Sequence, residues 1–284
     1  MCGIVGFVSK YFQKERSKLK IAADTLAHRG PDSFGEWWSK DGKVGFAHRR
    51  LSIIDITDNG KQPMVDEENK NVIIFNGEIY NHRDLKIQLR NRKHSFFSKS
   101  DTEVLLKAYS EWGVECVEKL NGMFAFAIYD LKKQTIFLAR DRAGEKPLFY
   151  YSHNGVFQFA SELKALMLGS NLSHRINRKS LNSYLKMGFV PGNQCILKGF
   201  NKLPPAHVLS FNLQTNKKEV WRYWEPPNSS SPPSPPPNAT LQCLRTIWHR
   251  RKVGIIEEST IGSSNCFAKI GNISTEFSMA SSSI

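Results

Sequence analysis

The chain has 284 residues, 40% of them hydrophobic, yet no uninterrupted apolar run approaches the ~18 residues that a membrane-spanning helix needs. A net charge of +14 arises from 40 Lys and Arg against 26 Asp and Glu, but the basic residues are scattered and no nucleic-acid motif accompanies them, which argues against a nucleic-acid binder. The five cysteines, at 2, 116, 195, 243 and 266, are odd in number with no C-x-x-C pair, and residues 1–8 make too short a segment for a secretory signal; free thiols, no metal site and a cytoplasmic location are the expectation.

The first predicted element is a strand over 2–8, opening on Cys2. Removal of Met1 would leave a thiol and a free α-amine on the same residue, so nucleophile and base would come together. The plainer reading is a small hydrophobe beginning a buried strand. A helix over 14–28 follows, then a strand over 44–54 that carries His48-Arg49-Arg50. An Arg pair at a strand end is most often solvated charge, whereas one aimed inward would hold a carboxylate in a bidentate fork.

The next strand, over 72–80, contains Asn76-Gly77 between apolar β-formers. This dipeptide is the strongest short-range signal for a tight hairpin turn. Its functional reading makes the Asn76 amide and the Gly77 N–H two donors for a developing oxyanion, with glycine required so that substrate can approach closely. Helices over 83–91 and 102–112 come next, the second opening on Ser100-Asp101-Thr102-Glu103. Ser100 and Glu103 fit a reciprocal capping box, which leaves Asp101 as a spare carboxylate able to bind an ammonium. Strands over 123–129, 135–139, 148–151 and 156–160, then helices over 162–168 and 179–187, complete an α+β pattern rich in antiparallel sheet.

Seven of the 13 prolines fall between Pro226 and Pro237. That composition reads as a stiff linker over 226–237 separating a domain over 2–225 from a Ser-rich, poorly ordered tail over 238–284.

Nucleophile, oxyanion donors, carboxylate clamp and ammonium clamp together match the hydrolysis of a free amino acid's side-chain amide. Eight ordered stretches carry a resemblance: Met1-Cys2-Gly3-Ile4-Val5-Gly6, His28-Arg29-Gly30-Pro31-Asp32, Arg50-Leu51-Ser52-Ile53, Asn76-Gly77-Glu78-Ile79-Tyr80-Asn81, Ser100-Asp101-Thr102-Glu103, and residues 122–126, 140–148 and 160–166. Over residues 1 to about 225 the chain resembles the glutaminase half of glutamine-dependent asparagine synthetase. The resemblance implies a class II glutamine amidotransferase domain with the αββα sandwich of N-terminal nucleophile hydrolases. It further implies Cys2 as nucleophile, Arg50 on the α-carboxylate of L-glutamine, Glu78 and Asp101 on its α-ammonium, and Asn76 with Gly77 as oxyanion hole. For residues 28–32 and 140–148 a scaffold role is expected, their Arg and Asp pairing locally.

A full synthetase would continue into a domain with a Ser-Gly-Gly-x-Asp-Ser phosphate loop. Gly262-Ser263-Ser264-Asn265 is the nearest approach here and lacks the paired glycines and the Asp. The glutaminase step is expected to need no cofactor, while synthesis would need ATP and Mg, for which the sequence offers no site. Candidate partners are a synthetase chain or a second copy. The competing reading is a non-catalytic homologue that binds glutamine or a full-length synthetase.

Overall fold

The computed structural model describes residues 1–9, 16–153, 155–169 and 174–226. The expected tail, all of the linker past Pro226, and Cys243 and Cys266 lie outside the described residues. Met1–Glu225 forms one compact unit.

Two six-stranded antiparallel sheets stack face to face. In chain order the strands are β1 (Gly3–Val8), β2 (Ser33–Trp38), β3 (Val44–Arg50), β4 (Met64–Asp66), β5 (Asn71–Ile79), β6 (Gly122–Asp130), β7 (Thr135–Arg140), β8 (Phe149–His153), β9 (Val156–Ala160), β10 (Phe200–Lys202), β11 (His207–Asn212) and β12 (Lys218–Arg222). The helices are α1 (Arg16–Asp24), α2 (His82–Asn91), α3 (Asp101–Trp112), α4 (Cys116–Lys119), α5 (Leu163–Gly169) and α6 (Arg178–Met187). One sheet runs β10-β8-β9-β1-β3-β2 and the other β12-β11-β7-β6-β5-β4.

Three apolar clusters define four layers. Ile4, Val44, Phe46, Val72, Ile74 and Leu138 meet between the sheets. Leu19, Ala22 and Leu166 of α1 and α5 cover the outer face of the first sheet, against Val5 and Phe7. Leu85, Leu89, Leu105 and Val117 of α2, α3 and α4 cover the second, against Ile73 and Phe75. The expected αββα sandwich is therefore present. Across the middle, Phe157 of β9 stacks on Phe211 of β11 with centroids 4.5 Å apart.

Sequence periodicity misses β2, β4, β10, β11 and β12. Ser33–Trp38 pairs only with β3 along one edge and mixes half-buried with exposed positions, so its alternation is shallow. β4 and β10 are three residues each, too short to carry a period. The strand expected over 44–54 stops at Arg50, where the chain leaves the sheet for a loop and a single 3-10 turn at Asp58–Gly60.

Candidate active site

Side chains alternate across a strand, so the residues that follow the inner core along each strand inherit its direction. Ile4 faces the space between the sheets, and Cys2 shares its parity; Val44 and Phe46 are followed by His48 and Arg50, and Val72 and Ile74 by Asn76 and Glu78. Three apolar stripes thus turn polar at one end of the sandwich. The β1–β3 register pairs Gly3 with Arg49, and carried one step further it sets Cys2 opposite Arg50. There a cleft opens, lined by Cys2, Arg50, Asn76, Gly77, Glu78 and Asp101. All six residues singled out from sequence share it.

The Cys2 sulfur receives the Leu51 N–H at 3.4 Å and lies 3.7 Å from the Leu51 carbonyl. Burial pushes its thiol up; the Leu51 contact, the terminal amine and Arg50 pull the other way. The Cys2 carbonyl accepts from Arg29 Nε at 3.0 Å, and Arg29 Nη1 pairs with Glu162 at 3.0 Å. Residues 28–32 therefore brace the chain end, but through a carboxylate far along the chain rather than a local one.

Arg50 is buried and Arg49 points to the other face, where it pairs with Asp24 and lies over the Phe34 ring. The Arg50 guanidinium donates to the Asp55 carbonyl and to the Thr57 carbonyl, the latter at 3.1 Å. These carbonyls are aimed by Asp55, whose carboxylate accepts from the Thr57 hydroxyl at 2.6 Å and from Lys99 N–H at 3.0 Å. Gly60 makes room, since a Cβ there would come within 2.3 Å of Arg50 Nη2. With only two bonds given to carbonyls, a guanidinium keeps donors for a ligand carboxylate.

Asn76-Gly77 is not a turn. It lies inside β5, where Asn76 pairs with Ala125 and Gly77 with Phe124 of β6. Among the described residues neither amide atom of Asn76 has a hydrogen-bond partner, although the residue is only 1% exposed. Burying such a group unpaired costs roughly 1–3 kcal/mol, so the amide is kept for something other than the fold. The fold itself requires glycine at 77, since a Cβ would meet the Met123 carbonyl of β6 at 2.2 Å.

Main-chain groups alternate too, and here β5 shows a gap. Phe124 turns its N–H and carbonyl to Asp141, so Gly77 cannot bond to it and faces the opposite edge. Along that edge Ile73 is opposite Met64 of β4, the Phe75 N–H goes to Gln62 Oε1 at 2.6 Å, and the Ile79 N–H goes to Asp101 Oδ2 at 3.0 Å. Between the last two, the Gly77 N–H faces the cleft.

Asp101 begins α3, and burial raises its carboxyl above the usual range while the Ile79 N–H opposes this. The capping box does not form. Ser100 caps Thr102 N–H at 3.1 Å, but Glu103 turns away from Ser100 to take Phe97 and Ser98 N–H at 2.9 and 2.8 Å. Glu78 makes no hydrogen bond or ion pair with a described residue, and its half-buried carboxylate lines the cleft. In the 140–148 loop the pairing is mostly local, as expected: Asp141 Oδ2 takes the Lys146 N–H at 3.0 Å and Arg140 Nε reaches the Lys146 carbonyl at 2.8 Å.

Sequence reasoning passed over His48, Gln62 and Lys146. The Phe46-His48-Arg50 alternation marks His48 as inward-facing. Its Nε2 donates to the Phe75 carbonyl at 3.0 Å, and burial lowers its pKa to about 4, so the ring is neutral. Gln62 and Lys146 are buried in the cleft wall; Lys146 lies in the 140–148 stretch for which only a scaffold role is expected, and no period or motif announces Gln62.

The cleft brings together a thiol, the Asn76 amide, the Gly77 backbone, an inward guanidinium and two carboxylates. Among the described residues no helix is long and apolar enough to cross a membrane.

Residues 1–224 match the family model described as a glutamine amidotransferase domain. The chain is 42% identical over 230 residues to asparagine synthetase [glutamine-hydrolyzing] 3 of Bacillus subtilis, covering 79% of this chain and 36% of that protein. It is 36% identical to a putative asparagine synthetase [glutamine-hydrolyzing] 2 of Methanocaldococcus jannaschii, covering 80% and 47% respectively. The chain therefore spans between about a third and a half of the length of these relatives. Its fold is similar to a glutamine phosphoribosylpyrophosphate amidotransferase from B. subtilis, with a TM-score of 0.57 at 18% identity over 79% of this chain and 50% of that one.

Proposed function

Because the chain belongs to the class II glutamine amidotransferase family, as the glutaminase half of an asparagine synthetase, we propose that it hydrolyses the side-chain amide of L-glutamine through a Cys2 thioester. One observation carries the reading: Asn76, 1% exposed with both amide atoms unpaired among the described residues, stands at the cleft beside Gly77. Such a pair suits an acceptor that exists only during reaction.

Arg50 holds the α-carboxylate of glutamine, and Glu78 with Asp101 receives its α-ammonium. With Met1 removed, the α-amine of Cys2 takes the thiol proton, and the sulfur attacks the carboxamide carbon. Negative charge passes to the carbonyl oxygen, where Asn76 Nδ2 and the Gly77 N–H donate to it. Collapse breaks the C–N bond, and the α-ammonium returns its proton to the leaving nitrogen, giving ammonia and a γ-glutamyl thioester. Water then adds to the thioester carbon, and departure of the sulfur yields glutamate and the free thiol. This chemistry calls for no metal or nucleotide.

The test is glutamate release from L-glutamine by Met1-processed protein and by Cys2→Ala. The variant should fall to the uncatalysed rate with an unchanged melting temperature, because Cys116 and Cys195 are buried and their thiols are pushed up. Wild-type rates in Cys2→Ala would remove the nucleophile assignment.

A further inference from the structure

The free edge of β5 raises a mechanical question. An oxyanion donor must keep its position to a fraction of an ångström, yet past β4 this strand is paired on one side only. The β4–β5 ladder ends at Met64↔Ile73. Beyond that pair, at Phe75, a side chain takes the place of a strand. Gln62 Oε1 accepts the Phe75 N–H at 2.6 Å, and Gln62 Nε2 donates to Thr102 Oγ1 in the first turn of α3 at 3.1 Å. The backbone of Gln62 is itself locked against β2, where a Cβ on Gly35 would come within 1.9 Å of the Gln62 carbonyl. From the other sheet His48 Nε2 takes the Phe75 carbonyl at 3.0 Å. Phe75 is gripped at both main-chain groups, immediately before Asn76.

We propose that Gln62 is a positioning residue for the oxyanion hole: its amide fixes the open edge of β5 at Phe75 and ties that edge to the helix start that carries Asp101. This rests on the glutaminase reading. A residue that merely filled an unpaired N–H would support substrate and transition state alike, whereas one that sets the height of the Gly77 N–H acts when charge reaches the oxygen. Gln62 touches no reacting atom and works through Phe75.

Two ligands separate these cases. The aldehyde analogue of glutamine, with CHO in place of the carboxamide, adds the Cys2 sulfur to its carbonyl carbon while the thiol proton moves to oxygen, presenting a tetrahedral oxygen to the hole. L-Glutamate, the product, forms no bond and reports binding of the amino-acid end. Gln62→Met conserves volume and removes both hydrogen bonds. It should weaken aldehyde binding and lower kcat by about 10- to 100-fold, with glutamate affinity and KM within about threefold of wild type. Thr102→Val, which cuts only the tie to α3, should move the same ratio in the same direction by a smaller factor, and it carries the test should Gln62→Met not fold. An aldehyde-to-glutamate affinity ratio unchanged in the variants, against a wild type that hydrolyses glutamine and binds the aldehyde, overturns the positioning role alone. A wild type that does neither overturns the glutaminase reading and this proposal together.

Discussion

Over residues 71–73 strand β5 is paired on both sides, to β4 and to β6, whereas over residues 75–79 only β6 remains. In the first stretch Val72 and Ile73 are almost wholly buried in apolar surroundings, and every main-chain group has a strand to meet. In the second, the main chain is satisfied by side chains from elsewhere, Gln62, His48 and Asp101, and one N–H is left facing a cleft. The contrast shows how a single strand serves two ends. Its closed part holds the two sheets together, and its open part turns unpaired donors toward a ligand at some cost in stability. Because both parts share one β6 partner, the stable part sets the register of the chemical part.

If that division holds, substitutions in the two stretches should separate rate from stability. Asn76→Ala, in the open stretch, should lower kcat about 100- to 1,000-fold with little change in KM. Its melting temperature should not fall, since no bond to Asn76's amide is lost. A KM effect with kcat preserved, in steady-state kinetics, would make Asn76 a simple substrate contact. Ile74→Ala, next to the closed stretch and fully buried between the sheets, should cost roughly 2–5 kcal/mol in denaturant unfolding. The turnover of the folded fraction should stay close to wild type.

His48 links the two sheets at the boundary and gives the comparison a pH axis. Its folded pKa of about 4 lies below the ordinary 6.5, so between those values the unfolded chain binds a proton that the folded one refuses. Its contribution is full above pH 6.5 and is lost as pH falls toward 4, by about 3 kcal/mol in all. His48→Gln retains an N–H donor for the Phe75 carbonyl and should flatten stability over this window, as read by urea unfolding at stepped pH. An unchanged slope would mean that another group carries it. The smallest effect is expected at the far wall. Arg50→Lys keeps the charge but loses the planar fork, and should raise KM about tenfold while kcat falls less.

How far the sequence alone reached depends on which kind of order each residue obeys. Apolar runs revealed β1, β3, β5 and the β6–β7 hairpin, because both faces of these strands are buried and most of their positions are apolar or small. Edge strands such as β2 and β4 follow pairing rather than pattern and were not visible. The Asn76-Gly77 pair shows the same limit at the site. Local propensity favours a turn, but β6 alongside holds the pair extended, and the glycine answers to the Met123 carbonyl. Capping rules likewise fitted Ser100 and failed for Glu103, whose carboxylate finds two N–H groups in the preceding loop instead. Cys2 and Asp101 suggest chemistry by residue type, but it is the family resemblance that singles out Arg50 from the Arg49-Arg50 pair. Gln62 could not be named, since its role comes from standing beyond the end of a ladder, which only the fold reveals.

In the proposed mechanism the open edge of β5 and the Asn76 amide form one oxyanion hole facing Cys2. A crystal structure of the Met1-processed protein carrying the aldehyde analogue on Cys2 tests it directly. The expected adduct has its hemithioacetal oxygen within hydrogen-bonding distance of both Asn76 Nδ2 and the Gly77 N–H, with the α-carboxylate on Arg50. An adduct whose oxygen points to solvent or to Arg50, leaving the Gly77 N–H unoccupied, would contradict it.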